Sequence, residues 1–89
     1  MLAIIVVIAA CKSALYMPSS NNTAKGADIS KLQQGRELYI NKCGSCHTLF
    51  APEKYNKTDW AKWVNRMAPK AKLTEEQKVL VQAYLTKGE

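Results

Sequence analysis

The sequence predicts a small all-α domain over residues 28–89. Three observations carry this expectation. Apolar residues recur at spacings of three and four in three separate segments. No segment alternates with period two over a convincing length. Each periodic segment also begins or ends at capping or helix-stopping residues.

The first segment runs from about Ser30 to Lys42, with Asp28 or Ser30 as the N-terminal cap. Ile29, Leu32, Gly35, Tyr39 and Cys43 share one face of it. A glycine inside a helix costs about 1 kcal/mol relative to alanine, and it often permits close approach by another backbone. The second segment runs from about Asp59 to Met67, capped by Thr58. Trp60, Trp63, Val64 and Met67 form its apolar stripe, and Pro69 is expected to stop it. The third runs from about Glu75 to Lys87. Thr74 and Gln77 form a capping box, Glu75 and Glu76 complement the helix dipole, and Gly88 suits the stop. Its expected buried side is Leu80, Val81, Ala83 and Tyr84.

Upstream, Leu2 to Ala10 is uninterruptedly apolar. Nine residues are too few to cross a bilayer, which takes about twenty. The run has the length of a signal-peptide core. It ends in Ile8-Ala9-Ala10-Cys11, which resembles the bacterial lipoprotein box. Residues 1–10 are therefore expected to be a signal peptide of lipoprotein type, and Cys11 the acylated anchor. Several acyl chains anchor stably, whereas one binds only marginally. The alternative is an ordinary secretory signal that happens to precede a cysteine. Residues 11–27, rich in Ser, Asn, Pro and Gly, read as a flexible tether. The location this implies is the periplasmic side of a bacterial membrane. Lys12 after the cysteine leans toward the outer membrane in that family's sorting pattern.

Thirteen basic residues against seven acidic ones give a formal charge of +6. The basic residues are scattered, so no nucleic-acid arm is expected. They make either a solvated basic surface or a docking face for an acidic partner. There are three cysteines. With Cys11 assigned to the anchor, Cys43 and Cys46 remain as a pair, and no disulfide is expected.

That pair stands in the string Cys43-Gly44-Ser45-Cys46-His47. Two thiols three positions apart can add to the two vinyl groups of one haem, and the adjacent imidazole then faces the iron. The spacing is that of c-type haem attachment. A thioredoxin-like dithiol would expect a βαβ context, which is missing. A zinc site needs four ligands, and the chain has one such pair and one histidine. A chance occurrence would leave a very small domain with no staple, whereas chains of this size usually need one.

From about residue 29 to 86 the chain resembles the small monohaem class I cytochromes c. The resemblance rests on Gly35-x-x-x-Tyr39, the CGSCH string, Pro52, Met67 and the final helix with Tyr84-Leu85. It implies a cytochrome c-like domain of three main helices around one covalent haem c, with the first and last helices crossing at Gly35 beside Tyr39 and Tyr84. It also implies that the Pro52 carbonyl accepts from the His47 ring, a bond that would orient the imidazole.

His47 is the only histidine, which excludes two histidine ligands within one chain. Met1, Met17, Met67, a lysine or an open position remain for the other face of the iron. Met1 leaves with the signal, and Met17 precedes the domain. Met67 lies twenty residues past His47. The resemblance supports Met67 as the second ligand. The competing reading is that Met67 only fills the core. The short interval between His47 and Met67 leaves no long distal loop, so one haem edge is expected to be exposed. Trp60 and Trp63 are expected as pocket walls, with an indole N–H, Arg66 or Tyr55 as candidate propionate donors.

These readings describe a monomeric single-electron carrier rather than an enzyme. Its expected partners are acidic-faced redox proteins or membrane respiratory complexes, met by Lys42, Lys54, Lys57, Lys62, Lys70 and Lys72 around the haem edge. Two alternatives are a haem enzyme or gas sensor with an open sixth position, and a haem subunit of a larger oxidoreductase complex.

Overall fold

The computed structural model describes residues 15–43 and 49–89. Among the described residues, three α-helices, α1 (Ile29–Lys42), α2 (Lys57–Ala71) and α3 (Glu75–Leu85), are accompanied by a 3₁₀ turn at Pro52–Lys54, and a tight connection joins α2 to α3. The described residues contain no β-strand, so the all-α expectation holds. Cys11, Cys46, His47 and the apolar run 2–10 lie outside the described residues. Among the described residues, no helix is long and apolar enough to cross a membrane.

Each helix start is set by a side chain that satisfies a free backbone N–H. Asp28 accepts from the Lys31 amide at 3.3 Å and begins α1. Asn56, not Thr58, caps α2 by accepting from Asp59 at 2.8 Å. Thr74 and Gln77 form the reciprocal capping box expected for α3, with bonds of 3.1 and 3.0 Å.

The second helix runs past Pro69 to Ala71, which corrects the expected stop at Met67. Pro69 lies in the last turn, and the carbonyl it leaves without a helical partner belongs to the solvent-exposed Asn65. Lys72, with φ of 58°, closes the helix instead. The Leu73 amide then donates back to the Ala68 carbonyl at 3.0 Å. The third helix ends earlier than expected, at Leu85. Its turn is completed by Lys87 in the left-handed region and by a 2.8 Å bond from the Gly88 amide to the Ala83 carbonyl.

The core forms where α1 crosses α3 and where α2 packs on α3. Leu15, Tyr39, Trp60, Val64, Val81, Tyr84 and Leu85 make one buried cluster. The buried side of α3 is Val81, Tyr84 and Leu85, whereas Leu80 and Ala83 are only half-buried. Gly35 sits at the crossing. A β-carbon there would overlap the Leu80 carbonyl oxygen, 2.8 Å from the Leu80 carbonyl carbon and 2.9 Å from the Tyr84 Cβ. The close backbone approach suggested by a mid-helix glycine is therefore present.

The described part of the expected tether is not free. Leu15 is 6% exposed within the core cluster, and Pro18 is buried. Tyr16 lies flat on Tyr84, with ring centroids 4.5 Å apart and planes 9° from parallel. The Tyr16 hydroxyl donates to the Tyr84 carbonyl, and the Tyr84 hydroxyl donates to the Tyr16 carbonyl at 2.9 Å. Further along, the Ala24 amide donates to the Lys87 carbonyl at 2.8 Å. Composition misled here: a few apolar side chains within a polar run bury enough surface to fix the segment as a strap.

Candidate functional site

The site begins at the C-terminal end of α1. Cys43 is the C-terminal cap of that helix, and its amide donates to the Tyr39 carbonyl at 3.1 Å. Its side chain is half-buried against the core, and that burial pushes the thiol pKa up to about 11. The thiol therefore stays protonated at neutral pH, which limits adventitious oxidation and alkylation, since the thiolate is the reactive form. Cys46 and His47 follow within 44–48, outside the described residues. Among the described residues, no group of three His, Cys, Asp or Glu side chains could hold a metal ion.

The chain returns at Leu49 and Phe50, and two helices grip it there. The Tyr39 hydroxyl donates to the Phe50 carbonyl at 2.8 Å and accepts from the Phe50 amide at 2.9 Å. The Trp60 Nε1–H donates to the Pro52 carbonyl at 2.7 Å. This narrows the expectation of an indole donor for a propionate. Trp60 is fully buried, and its N–H is committed to backbone, so it cannot serve a propionate. The Pro52 carbonyl thus accepts from the Trp60 indole, and the expected bond to it from His47 falls outside the described residues.

Aromatic rings fill the space between the end of α1 and α2. Trp60 and Trp63 meet edge to face at 5.3 Å, and Tyr39 meets Trp60 at 6.2 Å and Trp63 at 6.1 Å. Phe50 adds edge contacts to Tyr55 at 5.8 Å and Trp63 at 6.2 Å. Phe50 is 37% exposed, while Trp63 and Tyr55 are half-buried. Met67, one turn after Trp63 on the same face of α2, is half-buried and lies outside the core cluster. Met17 is 57% exposed on the strap.

Tyr55, Trp63 and Arg66 come together with Asp59 and Lys62 around one shallow surface cleft. Of the expected site residues, the structure thus gathers Tyr55, Trp63 and Arg66 around this cleft, with Trp60 fully buried behind them, its ring 5.0 Å from Tyr55 and 5.3 Å from Trp63. Sequence reasoning missed the hydroxyl of Tyr39 as a grip on the loop. The ring was legible from its place on the apolar face, but nothing in the spacing showed where the hydroxyl ends.

A covalent haem suits this donor set. A half-buried thiol stands at a helix end, the sequence just beyond it carries a second thiol and an imidazole, and Phe50 and Trp63 present partly exposed aromatic surface. Cys43, Cys46 and His47 would hold the group, and the half-buried Met67 is the candidate for a further ligand. Comparison of the chain with protein-family models, curated proteins and solved structures returned no match.

Proposed function

We propose that this chain is a small exported c-type cytochrome that carries single electrons. The observation that carries this reading is the Cys43-Gly44-Ser45-Cys46-His47 string launched from the end of a helix, with Cys43 as its cap, half-buried against an aromatic core. In this reading Cys43 and Cys46 would hold the haem through two thioethers, each S–H adding across one vinyl C=C with no net oxidation. His47 would ligate the iron, and Met67 would supply a further, sulfur ligand.

The bound haem would supply a one-electron change at iron, while the protein sets its potential and its access. A thioether ligand favours the ferrous state and raises the potential, as does low polarity around the group. Trp63, Phe50 and Met67 supply that apolar surrounding. Arg66 and Tyr55 line the shared cleft, and in this reading they bind a haem carboxylate. Lys42, Lys54, Lys57, Lys62, Lys70 and Lys72 are all exposed, as steering of an acidic partner requires. Anchoring by acyl groups on Cys11, at the periplasmic face of a bacterial membrane, completes the proposal.

The test begins with the mature chain from a host that attaches c-type haem. After acid denaturation and extraction with organic solvent, the colour is expected to stay with the polypeptide. Colour in the solvent phase, or none at all, would remove the cytochrome reading. Met67→Ala is expected to abolish the weak long-wavelength ferric band of sulfur–iron ligation and to let the reduced protein bind carbon monoxide at neutral pH. An unchanged spectrum would leave haem attachment standing and exclude Met67 as a ligand.

A further inference from the structure

An unbroken run of aromatic rings crosses the domain from the cleft to the strap. Trp63, half-buried at the cleft, meets Tyr39 edge to face at 6.1 Å. Tyr39 meets Tyr84 at 6.2 Å, and Tyr84 stacks on Tyr16 at 4.5 Å with the planes 9° apart. The two middle rings, Tyr39 and Tyr84, are fully buried, whereas Trp63 and Tyr16 at the ends are half-buried. Every ring in this run is an indole or a phenol.

We propose that the run is a path for single electrons, along which an oxidising equivalent that reaches Trp63 is passed to Tyr16 on the strap. Every ring of the path lies among the described residues, and the path does not depend on the cytochrome reading.

Packing alone asks only for rings of the right shape. Indole and phenol are also the aromatic side chains that give up one electron readily, which phenylalanine does not. The starting oxidant is a one-electron radical in solution. It takes one electron from the Trp63 ring and becomes an anion, and the indole N–H proton goes to water. One electron then moves from Tyr16 to Trp63 by way of Tyr84 and Tyr39. The Tyr16 O–H proton passes to water, and water returns a proton to the Trp63 nitrogen. The net change is one electron taken from Tyr16 and one proton released, which leaves a neutral phenoxyl radical. At neutral pH the phenoxyl is the more stable of the two radicals, so the transfer runs downhill.

Burial gives the ends and the middle different tasks. A phenol keeps an oxidising equivalent only if its proton can leave. Tyr39 and Tyr84 are sealed from water, and their hydroxyls donate to the Phe50 carbonyl at 2.8 Å and the Tyr16 carbonyl at 2.9 Å. Burial also holds the pKa of both above the ordinary phenol value. These two rings therefore pass electrons without storing the charge. The Tyr16 hydroxyl donates to the Tyr84 carbonyl and burial raises its pKa too, but the residue is part-exposed on the strap, where water can take the proton. Trp60 touches Tyr39 and Trp63 at 6.2 and 5.3 Å, but it is fully buried, out of reach of an oxidant in solution. Tyr55, half-buried and 5.0 Å from Trp60, is the competing end on the cleft side.

The probe is the azidyl radical, made by pulse radiolysis of azide, because it oxidises indole faster than phenol at neutral pH. The full chain, produced in a host that attaches c-type haem and held oxidised, is pulsed with a nitroso spin trap present. Peptide mass spectrometry then locates the adducts. Wild type is expected to carry the trap mainly on Tyr16, in a share that tenfold dilution of the protein does not change. Trp63→Phe keeps a ring in place and removes the entry point, and it is expected to cut Tyr16 adducts at least fivefold. Tyr55→Phe removes the competing end and is expected to leave Tyr16 adducts unchanged or raised. Wild-type adducts confined to Trp63 or Tyr55, or a Tyr16 share that falls on dilution, would overturn the path whether or not a variant folds. So would equal Tyr16 adducts in Trp63→Phe, which would mean direct attack on the strap, or their loss in Tyr55→Phe.

Discussion

Gly35→Ala is expected to destabilise the domain by about 2 kcal/mol, read as a lower urea midpoint, although alanine is the better helix former. The propensity gain is about 1 kcal/mol. Against it stands a steric conflict that no rotamer can relieve. The added methyl would overlap the Leu80 carbonyl oxygen and crowd the Tyr84 Cβ, so the obstruction is mainly backbone. Overpacking costs about 1–3 kcal/mol and occasionally more. Here relief requires α1 and α3 to move apart. That movement would also open the contact between Tyr39 and Tyr84, whose rings lie 6.2 Å apart and are both fully buried. Gln34→Ala, one position earlier and solvent-exposed, is the control and is expected to change stability by less than about 0.5 kcal/mol. A Gly35→Ala protein as stable as wild type would mean that the crossing is looser than described.

The crossing was legible in the sequence because it depends on local signals that agree. The period of the apolar face, the Asp28 cap and the interrupting glycine all point to one helix that receives a neighbour at residue 35. The capping box at Thr74 was legible for the same reason. The end of α2 was not. Proline discourages a helix through its missing N–H and through its preceding residue. Here the carbonyl left without its partner is that of the exposed Asn65, which water can satisfy, and burial of Ala68 together with the turn at Lys72 outweighs what remains. At the candidate site, the aromatic stripe was readable from spacing, but the fates of its polar atoms were not. Whether the Trp60 N–H meets a bound ligand or the Pro52 carbonyl depends on how residues 50–52 fold back, which is a tertiary fact.

Tyr16→Ala is expected to release the strap at residues 15–27 and to cost about 2–3 kcal/mol. Truncating a fully buried large aromatic costs about 3–5 kcal/mol. Tyr16 is half-buried, which lowers the figure, while its stacking on Tyr84 contributes about 0.5–1.5 kcal/mol beyond burial. The substitution also removes the hydroxyl bond to the Tyr84 carbonyl and the Lys87 ammonium 5.4 Å over the ring. That ammonium is itself held by Glu53 at 2.6 Å, so the ring, Lys87 and the 3₁₀ turn are linked. Tyr16→Phe keeps the stack, loses one hydrogen bond and is expected to cost only about 1 kcal/mol. Trypsin is expected to cut after the exposed Lys25 faster in Tyr16→Ala than in Tyr16→Phe or wild type. Equal cutting in all three would show that the stack does not hold the segment. The strap also changes the geometry of the proposed anchor. A free tether over residues 11–27 would let the domain roam, whereas a chain docked from Leu15 leaves four residue steps after Cys11. Fully extended, four residues reach only about 14 Å. An acylated Cys11 would therefore keep the domain close to the bilayer surface, where it can meet partners held in or on that membrane.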